Sequence, residues 1–285
     1  MQMGHIMLTD FDFANDAEFT KLLARRDDVE LTTAALELAR DAYPQLDFSA
    51  TQDWIGRRAN EIASGILQAP NEEMALGLLA ECLAGKHKLT GSREAYLQAD
   101  GSYVNRVIET GRGIPISLSI IYMAVANQAG LGLHGVAAPG HFMTRYEAVD
   151  GPLFIDAFAN GEVLNLDQML LRVSLTTGFS EERALTVLEP ASARTIIIRM
   201  LNNLKALYSQ QENWNAAWKV QHRLTALQPS SYEERRDLGL LSMKANRPGS
   251  AVDILETCLK SASKGEAPAI EFQIAEARRQ LSEWN

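Results

Sequence analysis

His141 and Asp156 are the two residues whose types and positions best suit catalysis. They lie in "GVAAPGHFMTRYEA" and "PLFIDAFA", two segments with the period-two alternation of β-strands. A carboxylate beside an imidazole fixes the ring's tautomer and stabilises its charged form, which is how a base is oriented in acyl-transfer sites. A hydrogen-bonded structural histidine at the end of a strand would use the same two residues, so both interpretations stay open.

The register of this hairpin decides whether the pair meets. A four-residue loop over residues 147–150 places His141 opposite Asp156, whereas a two-residue loop of Asp150-Gly151 places Arg145 opposite Asp156. Both registers leave His141 and Asp156 on the same face, because side chains alternate with a period of two. We therefore expect the imidazole and the carboxylate to converge.

A nucleophile for this pair would be expected at the start of the helix in "GRGIPISLSIIYMAVANQAG". Pro115 suits the first helical position, and the helix N-terminus would favour a thiolate. The first turns offer Ser117 and Ser119 instead of cysteine, and either would need His141 as a direct general base. The alternative is that both serines are small residues packed inside a buried helix.

A second polar group precedes this helix. Asn105 and Glu109 share a helix face at i and i+4, and Arg112 lies just beyond the helix end. These three residues either line a cleft or form a solvated helix-end ion pair.

Cysteines and histidines give no ligand pattern for a metal. Cys82 and Cys258 are isolated, with Cys82 read as a buried helical thiol, and the histidines are scattered singly. Gly111 and Gly113 lack the continuation of a phosphate-binding glycine motif. We therefore expect no metal and no cofactor.

Composition excludes several classes of protein. The 285 residues carry 27 basic and 36 acidic side chains, a net charge of −9, which disfavours nucleic-acid binding. The apolar stretch 114–126 is too short to span a bilayer. Residues 1–12 show no export signal, and Met7 is a candidate native start behind a short leader. The sequence predicts a cytoplasmic protein with no membrane partner.

Apolar periodicity predicts a helical N-terminal part over residues 10–111, followed by a core helix and a small antiparallel sheet over 112–190. Thr32 and Thr33 are candidate caps of the helix that ends before Pro44. Further helices are predicted over the following stretches: 51–68, 71–83 and 103–110, the last ending at Gly111.

Residues 191–285 repeat with a period of 34, the length of a tetratricopeptide repeat. A last helix over 268–284 is expected to cap the repeats, with Phe272, Ile274, Ala277 and Leu281 on its buried face. Two repeats and a cap fall short of the number that usually stands alone, so we expect them to pack on the first domain. Residues 194–285 expressed alone should therefore fold poorly.

The segments "NRVIETGRGIPISLSIIYMAVANQAGLGLHGVAAPGHFMTRY" and "FIDAF", with "AYPQLD" and "LTG" upstream and the repeats downstream, resemble one family. This is the bacterial transglutaminase-like family named after an invasion-regulator B protein, in which such a core precedes tetratricopeptide repeats. The resemblance implies an α+β fold with a papain-like transglutaminase core, in which a cysteine starts a central helix and a histidine and an aspartate follow on adjacent strands.

His141 and Asp156 match the last two positions of that pattern, but Pro115 stands at the nucleophile position. Standard transglutaminase or cysteine protease activity is therefore not expected. The sequence predicts a non-catalytic or repurposed protein that binds a polypeptide or acyl-type ligand in its cleft and protein partners through its repeats. The alternative is an amide or ester hydrolase or acyltransferase using Ser117, His141 and Asp156.

Overall fold

The computed structural model describes residues 13–283 and divides them into two compact units. One unit comprises residues 27–200, and the other combines residues 13–26 with residues 201–283. The expectations about residues 1–12, including the start at Met7, lie outside the described residues.

The unit of residues 27–200 contains a largely helical first part. The capping side chains differ from those expected: Glu30, not Thr32 or Thr33, caps the first of these helices by accepting hydrogen bonds from both threonine backbone N–H groups. The last helix ends at Gly111, whose positive φ of 71° is the left-handed conformation predicted for it. The helices are α2 (Leu31–Arg40), α3 (Phe48–Gln68), α4 (Glu72–Ala80) and α5 (Val104–Thr110).

Three features interrupt the helical pattern expected for residues 10–111. Helix α4 continues as a π-helix over Glu81–Lys86, and two short 3₁₀ helices cover Glu94–Leu97 and Ala99–Ser102. Strand β1 (Thr90–Gly91) pairs in parallel with β2 (Arg112–Gly113). This two-residue pairing is too short to produce an alternation that a sequence pattern reveals.

Helix α6 (Pro115–Gln128) is the centre of this unit. Proline stands at its start, as expected, and its residues from Pro115 to Met123 are all buried. A helix that is apolar all round belongs in a core. It contacts α2, α3 and α5 together with strands β3 and β4.

A four-stranded antiparallel sheet in the order β3-β4-β5-β6 follows α6. The strands are β3 (Leu133–Val136), β4 (Met143–Ala148), β5 (Gly151–Asp156) and β6 (Glu162–Leu164). Both expected registers are wrong: Ala148 pairs with Gly151, so the turn consists of Val149 and Asp150, and Thr144 pairs with Ile155. The observed register lies midway between the two expected ones. A change of register by two residues leaves each side chain on the same face of the sheet, so the faces are as expected.

Two helices cover this sheet, α7 (Leu166–Thr177) and α8 (Glu181–Val187). Their buried residues Met169, Val173 and Ala184 share a hydrophobic cluster with Met143 and Phe154 of the sheet. One face of the sheet is therefore part of the hydrophobic core.

The second unit contains the repeats. Its helices are α1 (Ala17–Leu23), α9 (Ala193–Gln210), which begins in the other unit, α10 (Trp214–Leu227), α11 (Tyr232–Lys244), α12 (Pro248–Leu259) and α13 (Ala267–Ser282). Ala217 and Ala251, the small residues of the period-34 pattern, are fully buried. In α13, Ile274 and Ala277 are buried as expected, but Phe272 is 67% and Leu281 37% exposed, which corrects the expected face.

Among residues 13–283, none of the helices combines the length and the apolarity that crossing a bilayer requires.

Candidate functional site

His141 and Asp156 are in contact, with 2.9 Å between the imidazole Nε2 and the carboxylate Oδ2. Asp156 is the last residue of β5, and His141 precedes β4 by two residues, directly after the turn at Gly140. The antiparallel pairing of β4 with β5 brings both residues to one end of the hairpin. The spatial convergence expected from the alternation is therefore observed, while a catalytic role of the pair remains a prediction.

The Asp156 carboxylate is almost completely buried and is surrounded by donors. Its Oδ2 accepts from His141 and from the Arg172 guanidinium at 3.0 Å, and its Oδ1 accepts the backbone N–H groups of Phe158 and Ala159, each at 3.1 Å. Burial acts to raise the pKa of Asp156, but the hydrogen bond and charge of His141, the Ala159 N–H and the Arg172 charge outweigh it. The pKa of Asp156 thus lies below its ordinary value, and the group is ionised at neutral pH.

Arg172 is a member of this site that the sequence analysis missed. It lies on α7, and its second guanidinium nitrogen pairs with Glu162 at 2.9 Å. Arg172 follows Asp156 by sixteen residues and belongs to another element. Only the packing of α7 against the sheet brings the two together, so no spacing rule could have identified it.

The imidazole of His141 is held by one nitrogen and is partly accessible. Nε2 is engaged with Asp156, the side chain is 28% exposed, and within the described chain no hydrogen bond involves Nδ1. The ring stands edge-on to Phe158, with centroids 6.3 Å apart, and Phe158 in turn contacts the ring of Tyr96, which is half exposed. An ionised Asp156 accepts from Nε2–H, so in the neutral ring Nδ1 carries the lone pair and can accept a hydrogen bond from a ligand.

Among the described residues, Ser117 is not hydrogen-bonded to His141. Its hydroxyl donates to the backbone carbonyl oxygens of Gly101 and Ile114, at 2.6 and 3.0 Å, and the residue is completely buried. Ser119 is also completely buried, and its hydroxyl has no hydrogen-bond partner among the described residues. The hydroxyl of Ser117 is thus turned into the core and already hydrogen-bonded, which does not support the alternative of a serine nucleophile.

Pro115 is likewise buried, so it does not line an open cleft as expected. It is the first residue of α6 and follows Ile114, whose N–H donates to Gly101. The start of the helix therefore offers neither a nucleophilic atom nor an accessible side chain.

Asn105, Glu109 and Arg112 form no hydrogen bond or ion pair with one another in the part of the chain that the structure describes. Glu109 pairs with Arg106, Arg112 donates to the Thr90 hydroxyl at 2.7 Å, and Asn105 is buried. Arg112 does line a cavity of about 580 Å³. The other walls of this cavity include Gly91, Glu94, Gln98, Asp100 and Gly101.

Comparisons with known proteins agree with this architecture. Residues 49–202 match the family model described as the transglutaminase-like superfamily, and residues 204–281 match a tetratricopeptide repeat. A UPF0162 protein of Xylella fastidiosa is 32% identical over 84% of this chain and 86% of its own length. Protein SirB1 of Salmonella typhimurium is 27% identical over 69% of this chain and 74% of its own length.

A eukaryotic protein is also similar: F-box only protein 21 of Mus musculus is 25% identical over 76% of this chain, but over only 33% of its own length. No solved structure matches. The match over more than half of the chain, and the relative similar along nearly its whole length, show that the chain belongs to the transglutaminase-like superfamily, in the form that carries C-terminal tetratricopeptide repeats.

Proposed function

We propose that this protein is a non-catalytic or repurposed transglutaminase-like protein with an adaptor or regulatory role. One observation carries the proposal: the His141–Asp156 pair is formed with a partly exposed imidazole, while Pro115 and Ser117 at the start of α6 are buried and offer no nucleophile. An oriented imidazole without a nucleophile supports recognition of a ligand and not its covalent conversion.

The surroundings of His141 suit a polypeptide or acyl-type ligand. Nδ1 provides a hydrogen-bonding group, and the rings of Phe158 and Tyr96 provide an apolar wall beside it. Arg199 adds a positive charge near Tyr96 and donates to the Ala138 carbonyl oxygen at 2.7 Å. An apolar wall with a few polar groups is the usual composition of a site for organic ligands.

The repeats support a second, protein-binding function. Helical repeats present extended surfaces, and amphipathic or extended segments of partners bind to such surfaces. A protein or peptide partner is therefore part of the proposal, with the ligand beside His141 and the partner on the repeats.

Photo-crosslinking in lysate of the protein's own cells, with quantitative mass spectrometry, tests the proposal. We expect His141→Gln to lose the ligand crosslinks that the wild type forms near Phe158, while the matched variant His134→Gln keeps them, because His134 lies exposed on β3. Identical crosslinks in wild type and His141→Gln would contradict binding at this site and leave only the repeats as the binding surface.

A second measurement separates binding from catalysis. An activated fluorophosphonate should label the wild type no more than Ser117→Ala, because the hydroxyl is buried and hydrogen-bonded. Labelling that disappears in both Ser117→Ala and His141→Gln would establish the hydrolase alternative instead.

A further inference from the structure

Glu61, Cys82 and His87 bring three different metal-binding groups together in the unit of residues 27–200. Their donor atoms all lie within 4.8 Å of one another, and the His87 imidazole Nε2 is 3.0 Å from a Glu61 carboxylate oxygen. Neighbouring ligands of a tetrahedral zinc are about 3.5 Å apart, given bonds of about 2.0–2.3 Å. Movements of the donor atoms by about 1 Å, through side-chain rotation, are therefore enough for all three to bind one ion.

The π-helix is what places Cys82 next to His87. The His87 N–H donates to the Cys82 carbonyl oxygen at 3.0 Å, five residues back, where an α-helix would bond four residues back. This wider turn begins directly after α4 and brings the thiol and the imidazole to the side facing α3, which carries Glu61. Such π-helical insertions are frequently found at functional sites.

We propose that Glu61, Cys82 and His87 form a binding site for a divalent transition-metal ion of the zinc type. Thiolate, imidazole and carboxylate groups are each zinc ligands, and the thiolate disfavours magnesium and calcium. Three protein ligands leave the fourth position of a tetrahedral ion to water. The site shares no residue with the His141–Asp156 pair and does not depend on the function proposed above.

Binding of a metal ion must remove the thiol proton of Cys82 and free the Glu61 carboxylate from its present ion pairs. Burial, with the nearby Glu61 charge, raises the pKa of the Cys82 thiol, so the metal-free site holds the thiol proton. Formation of the metal–sulfur bond breaks the S–H bond and releases that proton to solvent. Lys86 and Arg58 now pair with Glu61, and the Lys86 side chain is 63% exposed, so it can leave the carboxylate to the metal.

An aromatic side chain holds the imidazole in place. The Trp54 ring stands edge-on to His87 with centroids 5.9 Å apart, and its face packs against the Arg58 guanidinium. Fixing the ring before binding lowers the entropic cost of ordering it around an ion.

Metal titration of the full-length protein, stripped with chelator, tests the proposal. Zn²⁺ should bind with 1:1 stoichiometry by calorimetry, and Co²⁺ should produce a thiolate-to-cobalt charge-transfer band. Cys82→Ala should abolish this band. Cys82→Ala and His87→Gln should each weaken Zn²⁺ binding by at least about 10–100-fold, the loss that removal of even an outer-shell partner of a metal ligand causes. Because the chain has two cysteines, Cys258→Ala is the matched control and should keep the band.

His87→Gln tests the same site if Cys82→Ala fails to fold, because His87 is only partly buried. Circular dichroism verifies the fold of both variants. Wild-type protein without the charge-transfer band would overturn the proposal. Zn²⁺ affinity unchanged in His87→Gln, or a band lost in Cys258→Ala and kept in Cys82→Ala, would overturn it as well.

Discussion

Asp156 is a buried charge with four donors around it, two of them cationic or able to become so. Breaking a buried ion pair by removing one partner usually costs more free energy than the pair itself contributes, because the remaining groups lose their partner in a poorly solvated place. The same carboxylate fixes the nitrogen by which His141 is held. Stability and ligand recognition are therefore coupled in this residue.

Asp156→Asn should lower the free energy of unfolding by about 3 kcal/mol, because an amide has only one acceptor oxygen. In one orientation its NH₂ group faces the donors of His141 and Arg172, and in the other it faces the N–H groups of Phe158 and Ala159. Glu162→Gln is the control, since Glu162 pairs with the same arginine but is 47% exposed; it should cost about 0–1 kcal/mol. Urea denaturation of both variants measures the difference. Equal costs would show that the charge of Asp156 contributes nothing specific.

His222 gives a prediction on pH. Burial, with the positive charges of Arg223 and Arg247, lowers its pKa from 6.5 to about 4. Between these values the unfolded chain binds a proton that the folded chain does not, so this contribution to stability is complete above pH 6.5 and is lost as the pH falls toward 4. The shift corresponds to about 3 kcal/mol.

His222→Gln should remove most of the pH dependence of unfolding between pH 7 and pH 4.5, measured by urea denaturation at a series of pH values. The paired carboxylates with lowered pKa, such as Asp156 and Glu61, lose their contributions mainly as the pH falls below their ordinary pKa values of 3.8 and 4.5, so they add little to the slope in this range. A slope that is the same in wild type and His222→Gln would contradict the assignment.

At the scale of elements, periodicity and stop signals predicted α3, α4, α5 and α13 to within three residues at each end, because each depends on neighbours in sequence, but no helix was predicted where α7 and α8 lie. They failed where the deciding interaction is not local. The π-helix over Glu81–Lys86 has the apolar pattern of an α-helix, and the hairpin register was set by a turn of Val149 and Asp150 with Gly151 at a φ of +117°. The shared face of His141 and Asp156 was nevertheless predictable, because a change of register by two residues leaves each side chain on the same face of the sheet.

The turn between β5 and β6 makes a further prediction about an element. Gly161 has a φ of +79°, and a Cβ there would lie 2.5 Å from the Ala80 Cβ and 3.1 Å from the Tyr122 hydroxyl. Gly178, after α7, has a similar φ of +70° but open space around a Cβ. Comparing a substitution at Gly178 with the same substitution at Gly161 therefore distinguishes the cost of backbone strain from the cost of steric overlap.

Gly178→Ala should cost about 1–2 kcal/mol from the left-handed backbone alone. Gly161→Ala should cost about 1–3 kcal/mol more, because the added methyl group displaces Ala80 or the turn itself. Thermal and urea denaturation of the two variants measure the difference, and equal losses would mean that the core around Gly161 accommodates the methyl group freely.

At the scale of the whole molecule, the repeats include a segment that no sequence pattern assigned to them. Residues 13–26 belong to the same compact unit as residues 201–283. Asp16 forms a buried ion pair with Arg223 at 2.6 Å, and Phe19 of α1 packs its ring on the Arg223 guanidinium. The separation of 207 residues explains why periodicity could not show it.

This segment adds a reason for expecting residues 194–285 to fold poorly when expressed alone. The fragment lacks α1, which contacts α10 and whose preceding residue Asp16 pairs with Arg223. We expect a broad thermal transition for the fragment and a sharper one, at higher temperature, when residues 13–26 are joined to it by a flexible linker. The linked version with Asp16→Asn is the control and should lose about 3 kcal/mol of the gain, because a buried arginine loses its anionic partner. Circular dichroism melts of the three proteins decide the matter, and a fragment that melts as sharply without residues 13–26 would show that the repeats do not need α1.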